Sequence, residues 1–304
     1  MFSSRFTILL AAASAAIVGI GMAAGPSARA NTILVSDTFG GTSIANPPWT
    51  TTTFLSPGTI SENGALDVGL GSPAAYDEYS YVKASDGVAS LHSAATTVSY
   101  DLQADVNFAG LLANTSSVKG DTYVTLLQIN PSSGNNSIGT AQFLYDGFSG
   151  QYGVQLSAAI QFGGGTGTLT TGSNLNPATN PNQHWDLNVT YTKNAGTSWT
   201  FTDTLTVTSG SNTLAAISTT NTANATNSSF NPITDNNTVL VGDVLYSNNN
   251  KSSSGSNYLA GSYTMSNFSD TLIGGSPIPE PATLGLMAAM GVGLLLVGRK
   301  RKVA

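Results

Sequence analysis

Apolar and polar residues alternate along most of the chain, and this alternation predicts β-strands. Between residues 98 and 108, the residues Val, Tyr, Leu, Ala, Val and Phe occupy every second position. Side chains two residues apart lie on the same face of a strand, so the segment predicts a long strand with one buried face. Residues 123–129 carry apolar residues at both odd and even positions, which predicts a strand that is buried on both faces.

Two further segments give equally clear patterns. Residues 152–162 alternate in the same way, and residues 185–207 predict a hairpin whose turn lies at residues 193–196. Weaker strand candidates lie at residues 214–217, 239–244 and 258–273. No segment between residues 31 and 273 shows sustained helical spacing, so the sequence predicts an all-β domain.

The predicted strands are best accommodated by two packed antiparallel sheets, because most of them have one polar and one apolar face. The layout resembles the concanavalin A-like jelly roll of lectins, laminin-G-like modules and some glucanases. The segments that carry this resemblance are an opening strand through residues 36–39, a ribbon around Asn63-Gly64, the hairpin at residues 184–207, and a closing strand at residues 263–268. The closing strand is expected to return beside the first strand.

Two other all-β arrangements are less consistent with the sequence. A pair of immunoglobulin-like sandwiches is disfavoured because the strands are long and no linker divides the domain. A β-helix would require a fixed internal period, and the sequence has none.

The N-terminal segment is typical of a secretory signal peptide. Arg5 supplies a positive start, residues 6–24 are almost wholly apolar or small, and Ala28-Arg29-Ala30 fits the small-x-small cleavage pattern. We therefore expect residues 1–30 to be removed, with Ala28 and Ala30 as the cleavage-site residues. The alternative is an uncleaved membrane anchor.

The C-terminal segment consists of three consecutive parts that differ in residue type. Residues 274–281 form a linker that contains Pro279-Glu280-Pro281, and residues 282–298 are uncharged. A 17-residue helix rises roughly 25 Å, which is at the short end of what crosses a bilayer. In the tail at residues 299–304, four cations are expected to hold the end in the cytoplasm: Arg299, Lys300, Arg301 and Lys302.

These three parts, in this order, resemble the PEP-CTERM sorting signal of Gram-negative bacteria. The two prolines keep the motif extended and accessible outside the membrane. The resemblance implies that exosortase, a membrane transpeptidase, is a partner that recognises and cuts the tail. It also implies export through the inner membrane, contact with that membrane through the C-terminal helix before processing, and a final place at the cell surface or in the extracellular matrix. The alternative is a plain C-terminal anchor with a proline-rich linker.

Charge and cysteine content narrow the functions of the predicted domain at residues 31–273. It contains four lysines and no arginine against 15 acidic residues, so its formal charge is 4 − 15 = −11. Nucleic acid is not an expected partner, because phosphate binding needs clustered cations. The chain has no cysteine, which excludes disulfides and thiolate metal sites.

No catalytic motif is found, and no catalytic residue is predicted. Glucanases of the jelly-roll kind carry a Glu-x-Asp-x-x-Glu motif, which is missing here; Glu62 falls in a predicted hairpin turn. Asp101 and Asp105 would point the same way at about 13 Å, which is too wide for a pair of glycosidase carboxyls. His184 and Asp186 would share a polar strand face, which is more typical of a hydrated sheet than of a catalytic triad.

No cofactor is expected, although oxygen ligands near Asp121 or in residues 235–237 could bind calcium. The predicted carbohydrate-binding cluster is Tyr76, Asp77, Glu78, Tyr79 and Tyr81, because tyrosine stacks on sugar rings and also offers a hydroxyl. The alternative is that Tyr79 and Tyr81 cover the core. Three functions follow: a noncatalytic protein that binds or organises exopolysaccharide, a structural or adhesive protein without a ligand site, and a secreted polysaccharide hydrolase or lyase.

Overall fold

In the computed structural model of the chain, the segments with alternating apolar and polar residues form β-strands. The model describes residues 31–44, 48–54, 59–70, 79–85, 97–113, 118–119, 121–131, 138–158, 166–194, 198–224, 237–241, 243–247, 256–257 and 259–273. In chain order the strands are β1 (Thr32–Asp37), β2 (Thr50–Phe54), β3 (Thr59–Glu62), β4 (Leu66–Leu70), β5 (Tyr79–Ser85), β6 (Thr97–Asn107), β7 (Leu111–Ala113), β8 (Val118–Lys119), β9 (Asp121–Pro131), β10 (Gly139–Asp146), β11 (Gln151–Ala158), β12 (Thr166–Thr171), β13 (Asn182–Lys193), β14 (Ser198–Ser209), β15 (Asn212–Asn224), β16 (Asn237–Val241), β17 (Asp243–Ser247), β18 (Ser256–Asn257) and β19 (Leu259–Ile273).

Seventeen of these strands form two antiparallel sheets. Sheet A has nine strands in the order β15-β14-β13-β6-β19-β4-β3, with β1 and β7 also paired to β19. Sheet B has eight strands in the order β12-β11-β10-β9-β16-β5-β2, with β17 also paired to β9. The remaining two, β8 and β18, pair in parallel. The described residues contain no α-helix, only a short 3-10 turn at Ser173–Leu175. The prediction of a two-sheet antiparallel sandwich is therefore confirmed.

The pairing of the first and last strands also agrees with the prediction. β1 lies antiparallel to β19, with Asp37 opposite Phe268 and Thr32 opposite Leu272. The ribbon around Asn63-Gly64 is the β3–β4 hairpin, and the predicted hairpin at residues 184–207 is formed by β13 and β14. The weak candidate at residues 214–217 is part of a much longer strand, β15, with 13 residues.

One apolar core fills the space between the sheets. Phe108, at the end of β6, stacks on Phe143 of β10 with ring centroids 4.4 Å apart, and Trp185 meets both rings edge-on. A second group joins the opening and closing segments, since Trp49 contacts both Phe39 and Phe268. The Trp49 indole N–H donates to Asp37, 2.8 Å away, so its one polar atom is satisfied within the core.

The sequence predicted that Glu62 lies in the hairpin turn, but the structure places it in the strand before the turn. It is the last residue of β3 and is buried, and its carboxylate accepts a 2.7 Å hydrogen bond from the backbone N–H of Gly41. A side chain at residue 41 would meet this carboxylate, so the glycine allows the close approach. Glu62 therefore ties the segment after β1 to the β3–β4 hairpin.

In the described part of the chain, no helix has the length and apolar character needed to cross a membrane. The predicted signal peptide at residues 1–30 and the predicted membrane helix at residues 282–298 both lie outside the described residues.

Candidate functional site

The solvent-facing side of sheet A carries a regular grid of polar side chains. β13 pairs with β6 and with β14 in continuous register, and β14 pairs with β15 without a shift from Ser198 to Val207. The apolar positions of these strands point into the core. The opposite positions form cross-strand rows, here called the polar face. Its rows are Thr97-Thr192-Thr200-Thr222, Ser99-Thr190-Thr202-Thr220, Asp101-Asn188-Thr204-Ser218, Gln103-Asp186-Thr206-Ala216 and Asp105-His184-Thr208. Sheet geometry spaces neighbours at about 4.8 Å between strands and about 6.8 Å between rows.

The first two rows consist of hydroxyl side chains only. Neighbouring hydroxyls bond across the strands, at 3.1 Å for Thr97 and Thr192 and 2.9 Å for Ser99 and Thr190. On the other side of the grid, Thr200 lies 3.3 Å from Thr222. A hydroxyl is both a donor and an acceptor, so each one keeps hydrogen-bonding capacity toward solvent or a ligand.

His184 and Asp105 form the centre of the last row. The Nδ1 atom of His184 lies 2.8 Å from an oxygen of Asp105, whose other oxygen accepts a 2.7 Å hydrogen bond from the Asn267 side-chain amide. Asn267 sits at an irregularity in β19 with a φ of 52°, a conformation that asparagine tolerates better than most residues. Partial burial raises the pKa of Asp105, but the bonds from Asn267 and His184 outweigh it and leave the pKa below its usual value.

Asp186, in the row next to His184, and Asp101, one row further, form a carboxyl pair. Burial raises the pKa of Asp186 to about 6, and the charge of Asp101 and a hydrogen bond with it act in the same direction. His184 and Asn188 partly offset this effect, and Asn188 donates a 2.6 Å bond to Asp186. Gln103 donates to Asp101 at 2.9 Å. Asp186 is therefore partly protonated near pH 6, which lowers the negative charge of this part of the face.

An open cavity of about 410 Å³ lies at the His184 end of the polar face. Its polar lining includes Asp105, Asn107, Asn182, Gln183, His184, Thr264 and Ser266. Among the described residues, no Phe, Tyr or Trp ring contributes to this lining, so a ligand there would be held mainly by hydrogen bonds.

A second carboxyl pair lies in sheet B, where Asp121 of β9 is opposite Asp146 of β10. Burial and the neighbouring Asp146 raise the pKa of Asp121 to about 6. Asp146 itself accepts bonds from the Ser149 hydroxyl and the Phe148 N–H in the turn that follows. Within the described ranges, no group of three or more His, Asp or Glu side chains is placed to hold a metal ion. Asp235 and Asn236 lie outside those ranges, so calcium binding stays a prediction.

The predicted carbohydrate cluster lies largely outside the described residues. Tyr76, Asp77 and Glu78 are not described, and Tyr79 and Tyr81 begin β5, where their backbones pair with Phe54 and Thr52. The sorting-motif residues Pro279, Glu280 and Pro281, the basic residues 299–302, and Ala28 and Ala30 also lie outside. These site predictions stay predictions.

The sequence predicted that Asp101 and Asp105 share one strand face, but it did not reveal their partners. Asp101 meets Asp186, and Asp105 meets His184, through the pairing of β6 with β13. The only signal in the sequence is that both strands carry charged or amide residues at alternate positions. Which residue faces which depends on a register that single-strand alternation does not specify.

Comparison with known proteins adds one match to a family model. Residues 277–302 match the model of the PEP-CTERM protein-sorting motif, the same stretch that contains Pro279-Glu280-Pro281 and the four terminal cations. The chain carries a PEP-CTERM sorting motif. The PEP-CTERM motif implies export, processing by exosortase and surface localisation in Gram-negative bacteria. The match covers the tail and not the sandwich. No curated protein sequence matches the chain.

Solved structures overlap the sandwich only loosely. A β-1,3-glucanase from Mycobacterium marinum is 10% identical, with a TM-score of 0.39, and covers 82% of this chain and 99% of its own. A botulinum neurotoxin type C structure that concerns cell entry through two ganglioside molecules is also 10% identical, with a TM-score of 0.38. The alignment spans 79% of this chain and 47% of the toxin chain, about half of its length. The assignment of a two-sheet sandwich therefore rests on the strand pairing of this chain and not on these comparisons.

Proposed function

We propose that this protein is an exosortase-sorted surface or matrix protein whose sandwich binds exopolysaccharide without cleaving it. The observation that carries the proposal is the polar face, a register-ordered grid of hydroxyl, amide and carboxyl groups beside an open cavity of about 410 Å³. Sugar hydroxyls both donate and accept hydrogen bonds, as do the side chains of this grid. The concanavalin A-like jelly roll predicted from the sequence is consistent with this role.

Charge indicates which polysaccharides the polar face accommodates. The domain has four lysines and 15 acidic residues, and Asp101, Asp105 and Asp186 lie within the face. Like charges repel over roughly 10 Å at moderate ionic strength. Neutral polymers therefore fit the face better than polymers of uronic acids.

The carboxyl groups support a noncatalytic role. Glycoside hydrolysis needs an acid and a second carboxyl about 5 to 10 Å apart with the sugar between them. Asp101 accepts a hydrogen bond from Gln103 and Asp186 accepts one from Asn188, so both carboxyls are engaged by side chains of the polar face. The lining of the open cavity includes neither of them. The pKa of Asp105 is lowered by its partners, so this carboxyl stays ionised and cannot act as the proton donor.

Binding can be tested with exopolysaccharide from the producing bacterium and a panel of neutral and acidic polysaccharides. The double variant His184→Ala/Asn188→Ala removes two groups from the polar face, and Thr171→Ala on β12 of sheet B is the matched control. Each lost hydrogen bond costs about 0.5 to 1.5 kcal/mol, so the double variant should weaken binding by about fivefold to a hundredfold. The control should bind like the wild type.

The alternatives give different results in the same experiment. If the folded wild type retains no polysaccharide, the protein is structural or adhesive and the binding proposal fails. If reducing ends are released from a polymer and their release stops in Asp101→Asn or Asp186→Asn, the protein is a hydrolase.

A further inference from the structure

A β-bulge in β19 brings an amide side chain to the polar face. Between Ser266 and Ser269, β19 has one residue more than the segment of β6 that pairs with it. Bulges of this kind bend a strand locally and redirect its side chains. Asn267 lies in the bulge with a φ of 52°, and its side-chain amide donates to Asp105 at 2.7 Å. The irregular backbone therefore places a hydrogen-bond donor beside a carboxylate of β6.

Asp105 lies between two donors. One of its oxygens accepts from Asn267, and the other lies 2.8 Å from Nδ1 of His184. Partial burial raises the pKa of Asp105, but these two bonds outweigh it and keep the carboxylate ionised at neutral pH. An ionised carboxylate only accepts hydrogen bonds, so the proton in the short contact belongs to Nδ1. In a neutral imidazole the other nitrogen, Nε2, is then an acceptor.

The ring of His184 borders the open cavity of about 410 Å³, and its side chain is 43% exposed. The contact with Asp105 is the only hydrogen bond that the described residues make with this ring. Other polar groups of the lining are already engaged, since the Gln183 amide both donates and accepts, and the Asn107 oxygen accepts from the Ala109 N–H. The cavity thus offers an acceptor at His184 and a donor at the Asn107 amide.

We propose that Asn267 and Asp105 are positioning residues that hold His184 with Nε2 as the acceptor for a hydroxyl group of a neutral sugar bound in this cavity. The identity of the ligand rests on the proposed function, whereas the state of the ring rests on the geometry alone. A sugar hydroxyl can donate to Nε2 and can also accept from an amide.

Other ligand classes fit this cavity less well. A carboxylate or sulfate group has no proton to donate, so it would face the lone pair of Nε2 and the charge of Asp105. A neutral imidazole also binds metal ions, but within the described ranges no group of three or more His, Asp or Glu side chains is placed to complete such a site. The chemistry of the cavity therefore favours neutral sugars.

This selectivity differs from the repulsion exerted by the acidic domain as a whole. Repulsion between charges in solution is screened by salt, and the screening length falls to about 3 Å at 1 M. The hydrogen bond to Nε2 forms in direct contact, so a preference that depends on it persists at high salt. Ionic strength thus separates the two causes of selectivity.

The protonation of the ring nitrogens tests the positioning without any polysaccharide, so this outcome is independent of the proposed function. Long-range proton–nitrogen NMR of the ¹⁵N-labelled, exported protein at about pH 8, where an imidazole is neutral, separates protonated from unprotonated ring nitrogens. The chain has two histidines, His92 and His184, and His184→Ala identifies the signals of the second. We expect a protonated Nδ1 and an unprotonated Nε2 in the wild type.

Two variants test whether the partners of His184 set this state. Asp105→Ala removes the carboxylate and should shift the ring to a mixture of its two neutral forms. Asn267→Gly removes only the amide, because glycine adopts the positive φ of the bulge readily, and should cause a smaller shift. Thr171→Ala on β12 is the control and should match the wild type. A protonated Nε2 in the wild type, or an unchanged ring in both variants, would overturn the positioning.

A matched pair of ligands tests the class of sugar. The pair is the neutral polysaccharide that binds best in the panel above and the same polymer after oxidation of its primary hydroxyls to carboxylates. At about 1 M salt the wild type should bind the neutral polymer about fivefold or more tightly than the oxidised one, and His184→Ala should reduce this ratio toward one. Equal affinities in the wild type contradict the ligand assignment. If no polymer of the panel binds, the ligand assignment fails together with the proposed function, while the NMR result still decides how the ring is held.

Discussion

Asp203 shows how a single residue departs from the pattern that surrounds it. It occupies a core-facing position of β14, between Phe201 and Leu205, and is fully buried. Among the described residues, neither carboxyl oxygen has a hydrogen-bond partner, and one of them lies 2.8 Å from where a Cβ atom on Gly139 of the opposite sheet would be. Burial raises the pKa of Asp203 well above its usual value, because a buried site without a partner favours the neutral carboxyl over the charged one.

Replacement of this carboxyl by an amide should change how stability depends on pH. A carboxyl whose pKa is raised on folding favours the folded state below the unfolded pKa of about 3.9, and this contribution is lost as pH rises. The loss is about 1.4 kcal/mol per pH unit until the folded pKa is reached. We expect Asp203→Asn to lose less stability than wild type between pH 5 and pH 8 in urea denaturation.

The control for that measurement is Thr204→Asn, which places the same amide at an exposed position beside Asp203 on β14 and removes no titratable group. It should retain the wild-type dependence on pH. Equal slopes for wild type and Asp203→Asn would mean that Asp203 is not held neutral by burial.

At the scale of elements, the β3–β4 hairpin illustrates a turn that depends on one glycine. Asn63-Gly64 lies between Glu62 and Leu66, and Gly64 has a φ of 75°. Its N–H donates to the Gly41 carbonyl at 2.8 Å, while Glu62 accepts from the Gly41 N–H. The hairpin and the segment after β1 are therefore held together by two hydrogen bonds, one donated by each segment.

Gly64→Ala should destabilise this turn. A left-handed conformation costs a residue with a Cβ atom about 1 to 2 kcal/mol relative to glycine. There is open space at residue 64, so the expected loss comes from the backbone and not from a clash. Gly172→Ala is the control, since Gly172 also has open space but an extended φ of −172°. Denaturation should show the loss only in Gly64→Ala; equal effects would contradict the assignment.

At the scale of the whole molecule, the chain combines a sorting motif with a sandwich of very different charge. The PEP-CTERM motif matches residues 277–302, where four cations follow an uncharged run, and the domain has a formal charge of −11. If exosortase removes the tail, the product is more acidic than the chain-wide charge of −6 indicates.

Processing predicts a specific change at the C-terminus. Mass spectrometry of protein recovered from the cell surface should find no peptide that ends in Lys302-Val303-Ala304. Protein from a strain without exosortase should retain that peptide and serves as the control. Recovery of the intact terminal peptide from the surface would show that the tail is an ordinary anchor.

By itself, the sequence determined the local character of the strands and revealed the sorting motif. Strict alternation at residues 98–108 predicted β6 and its buried face, and Asn63-Gly64 predicted the β3–β4 turn, because both signals are local. The sorting motif was also evident, since it is a contiguous stretch with a defined order of residue types.

Only the tertiary structure decided which residues meet. The contacts of Asp105 with His184 and of Asp101 with Asp186 join positions about 80 residues apart. They depend on the register of β6 against β13, which the packing of both strands on a shared core selects. The position of β15 at the edge of sheet A is likewise a matter of strand order, and no local pattern in its 13 uncharged residues specifies it.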